Sequence, residues 1–388
     1  MFSERTRWDL SPNRLAQKLA AKRASGARVL DLTESNPTRV GLACPQDVLD
    51  SLARAEALVY VPQPFGLRPA REAVAADFGR RGLPVDPDRI VLSASTSEAY
   101  AFVFKLLCDP GDEILVPRPG YPLFDFLATL ESVQVRTYPL RHDGEWHVDL
   151  AALRASLTPR TRAVVVVSPH NPTGACLKRD ERDAIEALCA GHGAALVSDE
   201  VFSDYTLRGD PRRAASLARD GPALAFALGG LSKSCGLPQL KLAWTAVTGP
   251  EPLRRDALAR LEVVADTYLS VSTPVQVAAP RLLGRGQELR APIRARIGRN
   301  LETLRREIGR GCPASLLEPE GGWSAVLRVP ATRSEEERVT RLLEERDVLV
   351  HPGFFFDFPG EAYVVLSLLP AEAEFSEGVA RLVADLVL

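Results

Sequence analysis

What the chain lacks narrows the reading first. Its six cysteines, Cys44, Cys108, Cys176, Cys189, Cys235 and Cys312, form no CxxC pair and no disulfide-scaffold spacing. Free thiols in a reducing compartment are therefore expected. The five histidines form no HxxxH motif and no Cys/His cluster, so no zinc or other metal site is expected. No apolar run approaches the ~20 residues that cross a bilayer. The opening MFSERTRWDL lacks the apolar stretch of a signal peptide. An excess of one charge is missing too: 48 Lys+Arg against 50 Asp+Glu leave a net charge of −2. That balance argues against nucleic acid or an anionic membrane as the main partner. Internal repeats and low-complexity linkers are also absent. A soluble, cytoplasmic protein acting on small molecules is expected.

What is present is globular: 388 residues, 46% apolar and 25% charged. That length exceeds one ordinary core and predicts a large domain with a smaller one. The pattern predicts a first helix over 12–25 and a short strand over 29–32, then the loop ESNPTRVGL with Arg39. A helix is predicted over 69–81, with Tyr60 in the loop before it. Strands are predicted at the two ends of RIVLSASTSEAYAFVFKLLCDPGDEILVPRP and at 134–138, 163–168, 194–198, 222–228 and 240–247, alternating with helical segments. Such alternation predicts a mostly parallel, seven-stranded sheet covered by helices on both faces. After residue 250 come three long helices and then a short α+β segment. The predicted division is a large domain over 46–284, with 1–45 and 285–388 forming a small domain and N-terminal arm.

In a doubly wound sheet, ligands bind beyond the carboxyl ends of the strands. Several chemically distinctive residues fall there. Lys233 lies in a small-residue turn between two apolar runs, where burial would lower its pKa and free its amine as a nucleophile. A surface lysine on a hairpin loop is the alternative. Ser95, Thr96 and Ser97 open a helix, which suits a phosphate cradle or an ordinary N-cap. Asp199 ends an apolar strand and needs a cationic partner, either a protonated pyridine nitrogen or an arginine. Asn171 in PHNPTG would donate to a phenolic oxygen or cap a turn. Tyr121 in RPGYP would stack on a ring or belong to the core.

Taken in order, the hydroxyl-rich helix start, PGYP, NPTG, the aspartate after a strand and SK in a small-residue turn resemble the fold-type I pyridoxal-phosphate enzymes. The likeness is specifically to the class I/II aminotransferases and covers nearly the whole chain. The resemblance implies that Lys233 forms the internal aldimine and shuttles the proton between Cα and C4′. Asp199 would keep the pyridine nitrogen protonated, Asn171 would bond the phenolic oxygen, and Tyr121 would stack on the ring. Ser95, Thr96 and Ser97 would hold the phosphate. Tyr60 would reach the phosphate of the neighbouring subunit, making a homodimer the active unit. The implied reaction exchanges an amino group between an amino donor and a keto acceptor. A lyase or synthase of the same fold and a non-catalytic, cofactor-binding relative are the alternatives.

Four positions depart from the family pattern. Phe202 stands where a tyrosine is usual, with Tyr205 three residues on. Gly230 replaces a hydroxyl residue, leaving Ser232 or Ser234 to stand in. Lys241 takes the place of an arginine that clamps the phosphate. Val365 occupies the position of the arginine that binds the substrate α-carboxylate. Either another cation, Arg39 first, takes over that carboxylate, or the substrate lacks one. Phe65, Tyr268, Trp323 and the phenylalanines at 354–356 would suit an apolar substrate group or the core.

Overall fold

Fourteen strands organise the structure, a computed structural model that describes residues 1–309 and 311–387. In chain order they are β1 (Leu30–Asp31), β2 (Ile90–Ser93), β3 (Glu113–Arg118), β4 (Gln134–His142), β5 (Trp146–Val148), β6 (Thr161–Val167) and β7 (Ala195–Asp199). There follow β8 (Ala225–Gly230), β9 (Ala243–Thr248), β10 (Ser315–Leu317), β11 (Ser324–Arg328), β12 (Val348–Leu349), β13 (His351–Pro352) and β14 (Tyr363–Ser367). Residues 310 and 388, within the expected small domain, lie outside the described residues.

The large sheet has eight strands in the order β2-β9-β8-β7-β6-β3-β4-β5. All seven expected strands are in it. Contacts among β4, β3, β6, β7 and β8 are parallel, while β9 runs against both of its neighbours. The eighth strand, β5, folds back antiparallel on the end of β4. Strands β8 and β9 are buried along their whole length. Hence their sequences read as unbroken apolar runs rather than alternating ones. Helices such as Arg68–Arg80, Thr96–Leu107, Arg179–His192 and Glu251–Tyr268 connect and flank these strands. One helix was not foreseen: Leu123–Leu130 begins directly after Pro122, where the PGYP turn had suggested only loop.

A second, antiparallel sheet in the order β10-β11-β14-β13 comes entirely from the C-terminal part. The N-terminal segment joins it through the parallel pair β1–β12 and through Ser367 N–H donating to the Leu32 carbonyl at 2.7 Å. Leu15, Leu30, Leu32 and Val40 share one apolar core with Ile297, Leu342, Leu366 and Phe375. Separate cores cover the faces of the large sheet. No helix among the described residues is long and apolar enough to cross a membrane.

Candidate active site

Strand β8 ends in Gly229-Gly230, where it packs tightly against β9 and a side chain on Gly229 would clash. A Cβ on Gly229 would lie 2.5 Å from Trp244 Nε1, and one on Gly230 would lie 3.1 Å from Ala243 Cβ. This close approach to β9 delivers the chain into a four-residue helix, Leu231–Ser234, which carries Lys233. The helix is tied from behind. Tyr205 donates its phenol to the Lys233 carbonyl at 2.7 Å, and Arg290, 1% exposed, donates to the Ser234 carbonyl at 2.7 Å. Arg290 also pairs with Asp77 and Asp204, each at 3.2 Å.

Lys233 faces a cavity of about 210 Å³ between the two sheets. Thr96, Tyr121, Asn171 and Asp199 share its lining with Lys233, so five of the expected positions converge. Asp199 is the last residue of β7, in register with Val167 of β6 and Leu228 of β8. Its carboxylate accepts from the Tyr100 hydroxyl at 3.1 Å and from Val201 N–H at 3.1 Å. No cation stands within ion-pair distance of it among the described residues. Desolvation pushes its pKa up to about 6, against the pull of those two donors and of Lys233. Desolvation likewise holds the Lys233 amine below its ordinary value, with Asp199 pulling the other way. The Lys233 Nζ makes no hydrogen bond among the described residues and lies 4.9 Å from the Trp323 ring centre.

At the N-terminus of Thr96–Leu107, the Ser95 hydroxyl accepts from Glu98 N–H at 3.2 Å. In return the Glu98 carboxylate accepts from Ala94 N–H at 2.7 Å. This reciprocal cap leaves the Thr96 and Ser97 N–H groups unpaired among the described residues, as helix ends do. Asn171 sits beside Ser324, 3.5 Å from its hydroxyl, and Tyr121 is 46% exposed at the cavity wall.

Five expected residues are not in the lining: Ser95 and Ser97 on either side of Thr96, and Tyr60, Lys241 and Arg39. Tyr60 is 70% exposed within an exposed apolar run, Leu58 to Val61. Lys241 is exposed in a left-handed turn. Arg39 is exposed in the N-terminal loop, although Thr33 and Ser35 of the same loop line the cavity. Of the residues that depart from the family pattern, Phe202 lines the cavity edge-on to Trp323 at 5.4 Å. Tyr205 does not line it, its hydroxyl being engaged behind the lysine. Val365, 2% exposed, lines it from β14. Trp323 and Phe356 line it too, whereas Phe65 and Tyr268 do not.

Among the lining residues with no signal in the sequence, two carry polar side chains that bear on the chemistry. Tyr100 lies one helical turn beyond Thr96 and reads there as an ordinary core position. His351 precedes Pro352-Gly353 and carries no motif.

A mostly parallel sheet with a half-buried lysine and a half-buried aspartate at its strand ends is the arrangement of the fold-type I enzymes of the pyridoxal-phosphate class. Comparison with known proteins makes this specific. The family model for aminotransferase class I and II matches residues 27–372, and the chain belongs to that family as a pyridoxal-phosphate-dependent aminotransferase. It is 29% identical over 357 residues to glutamate-pyruvate aminotransferase AlaA of Escherichia coli strain K12, covering 89% of this chain and 87% of that protein. Against alanine aminotransferase of Mycobacterium tuberculosis strain H37Rv it is 29% identical over 383 residues, covering 94% and 87%. A solved aminotransferase from Escherichia coli matches the fold with a TM-score of 0.88 at 25% identity, covering 100% of this chain and 98% of that one.

Proposed function

We propose that the cavity holds pyridoxal phosphate through Lys233, Asp199, Asn171, Tyr121 and the helix start at Ser95, Thr96 and Ser97. The amino group would move there from an amino donor to a keto acceptor. One observation carries this reading: Asp199 is an enclosed carboxylate with no cation in ion-pair distance among the described residues, facing the same cavity as Lys233. A protonated ring nitrogen supplies the missing counter-charge, so the donor set fits the cofactor. Bound there, pyridoxal phosphate supplies the electron sink that allows a substrate Cα–H bond to break. Lys233, its amine held below its usual pKa, would take that proton and return it on the other side of the exchange. Asp199 would keep the proton on the ring nitrogen. Asn171 would donate its amide to the phenolic oxygen, and Tyr121 would cover the ring face. The Thr96 and Ser97 N–H groups would face the phosphate, with Lys241 adding charge from outside.

The active unit in this reading is a homodimer in which Tyr60 reaches the partner's phosphate. Support comes from the exposed run Leu58 to Val61 beside an apolar groove of about 730 Å³ lined by Val59, Val61, Leu67 and Val277. Residues 46–284 would form the cofactor-binding domain, and 1–45 with 285–388 the small domain. Six free cysteines, three of them buried, support a reducing, cytoplasmic setting.

The test is spectroscopic. Protein loaded with pyridoxal phosphate should be yellow, and Lys233→Ala should abolish or shift that band. An amino donor should convert the coenzyme to its pyridoxamine form. A protein that takes up no coenzyme, or a band indifferent to Lys233, defeats the proposal. Light scattering should give twice the chain mass, and Tyr60→Phe should weaken coenzyme retention.

A further inference from the structure

The charge inventory of the cavity bears on its substrate. Its lining combines Tyr100, Tyr121, Phe124, Phe202, Trp323, Phe356, Val365 and Leu366 with the neutral polar groups of Thr33, Ser35, Asn171, Ser324 and Ser367. Apart from Lys233, the lining contains no lysine or arginine among the described residues, and the one further nitrogen base is His351. His351 lies directly across β13/β14 from Val365. It packs against Phe355 and Phe356 with ring centres 5.8 Å away in each case. Its imidazole makes no side-chain hydrogen bond among the described residues. Burial keeps that imidazole below its ordinary pKa, so at neutral pH it is an uncharged donor and acceptor.

A carboxylate enclosed without a cation is strongly disfavoured, whereas a hydroxyl or amide needs one good partner. Lys233 is not free to serve as that cation, because the proposed reaction uses its amine. Resting on the function proposed above, we infer that this enzyme's amino substrate carries a neutral polar group, a hydroxyl or an amide, where an amino acid carries its α-carboxylate, and that His351 recognises that group from beside Val365. The substrate class is then an amino alcohol, an amino amide or a similarly masked amino acid. The apolar remainder of the wall suits a short alkyl or aromatic side group.

Four amines on one carbon skeleton test this: L-alanine, L-alaninol, L-alaninamide and isopropylamine. Each is mixed with cofactor-loaded protein, and conversion of the coenzyme band is followed in single turnover. A probe that does not turn over is ranked by the concentration at which it perturbs the band. Alaninol and alaninamide should exceed alanine at least tenfold. His351→Leu should remove about tenfold of the preference for alaninol over isopropylamine without altering the resting band. His351→Gln, which keeps a hydrogen-bonding side chain, should restore part of it. Alanine ranking equal to or above alaninol overturns the inference, and so does a preference unchanged by His351→Leu. If Arg39→Ala then removes an alanine preference, the cation is Arg39 closing over the cavity and the inference is equally refuted. Protein that takes up no coenzyme, or whose band ignores Lys233→Ala, refutes the underlying function instead.

Discussion

Replacing Asp199 with asparagine should stabilise the cofactor-free protein while weakening its grip on the cofactor. Burial raises this carboxyl from its usual 3.8 to about 6. Between those values the native state keeps a proton that the unfolded chain has already lost. Its contribution therefore favours the fold at low pH and is lost as pH rises through about 6. At about 1.4 kcal/mol per pKa unit, the cost above that pH is at most about 3 kcal/mol. Asparagine has nearly the same shape, never ionises, and can keep its one oxygen on Val201 N–H while its amide N–H donates to the Tyr100 hydroxyl. At pH 8 the cofactor-free variant should thus be more stable by up to about 3 kcal/mol, or about 4 °C in Tm for a chain of this length. The difference should shrink towards zero as pH approaches 4. Urea midpoints at constant m-value, taken at several pH values on both proteins, read this directly. Glu181, Glu186 and Glu335 are also raised by burial, but they act in both proteins and cancel. Adding pyridoxal phosphate should reverse the order, because ligand binding stabilises the wild type by RT ln(1 + [L]/Kd). A variant no more stable at pH 8, or an advantage independent of pH, would refute the argument.

Lys233→Ala should lower single-turnover conversion by about 10²–10⁴-fold through loss of proton transfer alone, measured from the coenzyme band with added free amine as a partial rescue. Arg290→Ala should cost about 3–5 kcal/mol in urea unfolding, because it strips Asp77 and Asp204 of a buried partner and frees the Ser234 carbonyl. Ser95→Ala should cost about 1 kcal/mol through the lost N-cap of Thr96–Leu107, visible as a small, pH-independent drop in Tm.

Six of the seven expected strands of the large sheet are legible as mostly apolar runs, as burial on both faces requires, whereas β4, with Arg136 and Thr137 exposed, is legible only from its place in the strand–helix alternation. Strand β5 escaped notice because it has three residues at an edge, too short to show a period. Leu123–Leu130 was hidden by its own start, since the prolines that suggest a loop also permit a helix to begin just after them. Lys233, Asp199 and Asn171 were legible for a different reason: strand ends are positions where sequence order maps onto spatial order. Tyr100 was not, because its hydroxyl reaches Asp199 across the packing of a helix on the sheet, a distance that no spacing along the chain encodes.

The same distinction separates the two halves of the substrate question. That Val365 offers no charge is plain from the residue itself. That the facing residue is His351 follows only from antiparallel register, which sets Val365 opposite a residue on the far side of the Gly353–Phe356 turn. An absence can be read one position at a time, but what stands in for it has to be read across strands. For this cavity the across-strand neighbour is uncharged and surrounded by aromatic rings. The specificity of the enzyme is therefore better sought among amines that carry a hydroxyl or amide in place of the carboxylate than by searching the surface for a displaced arginine.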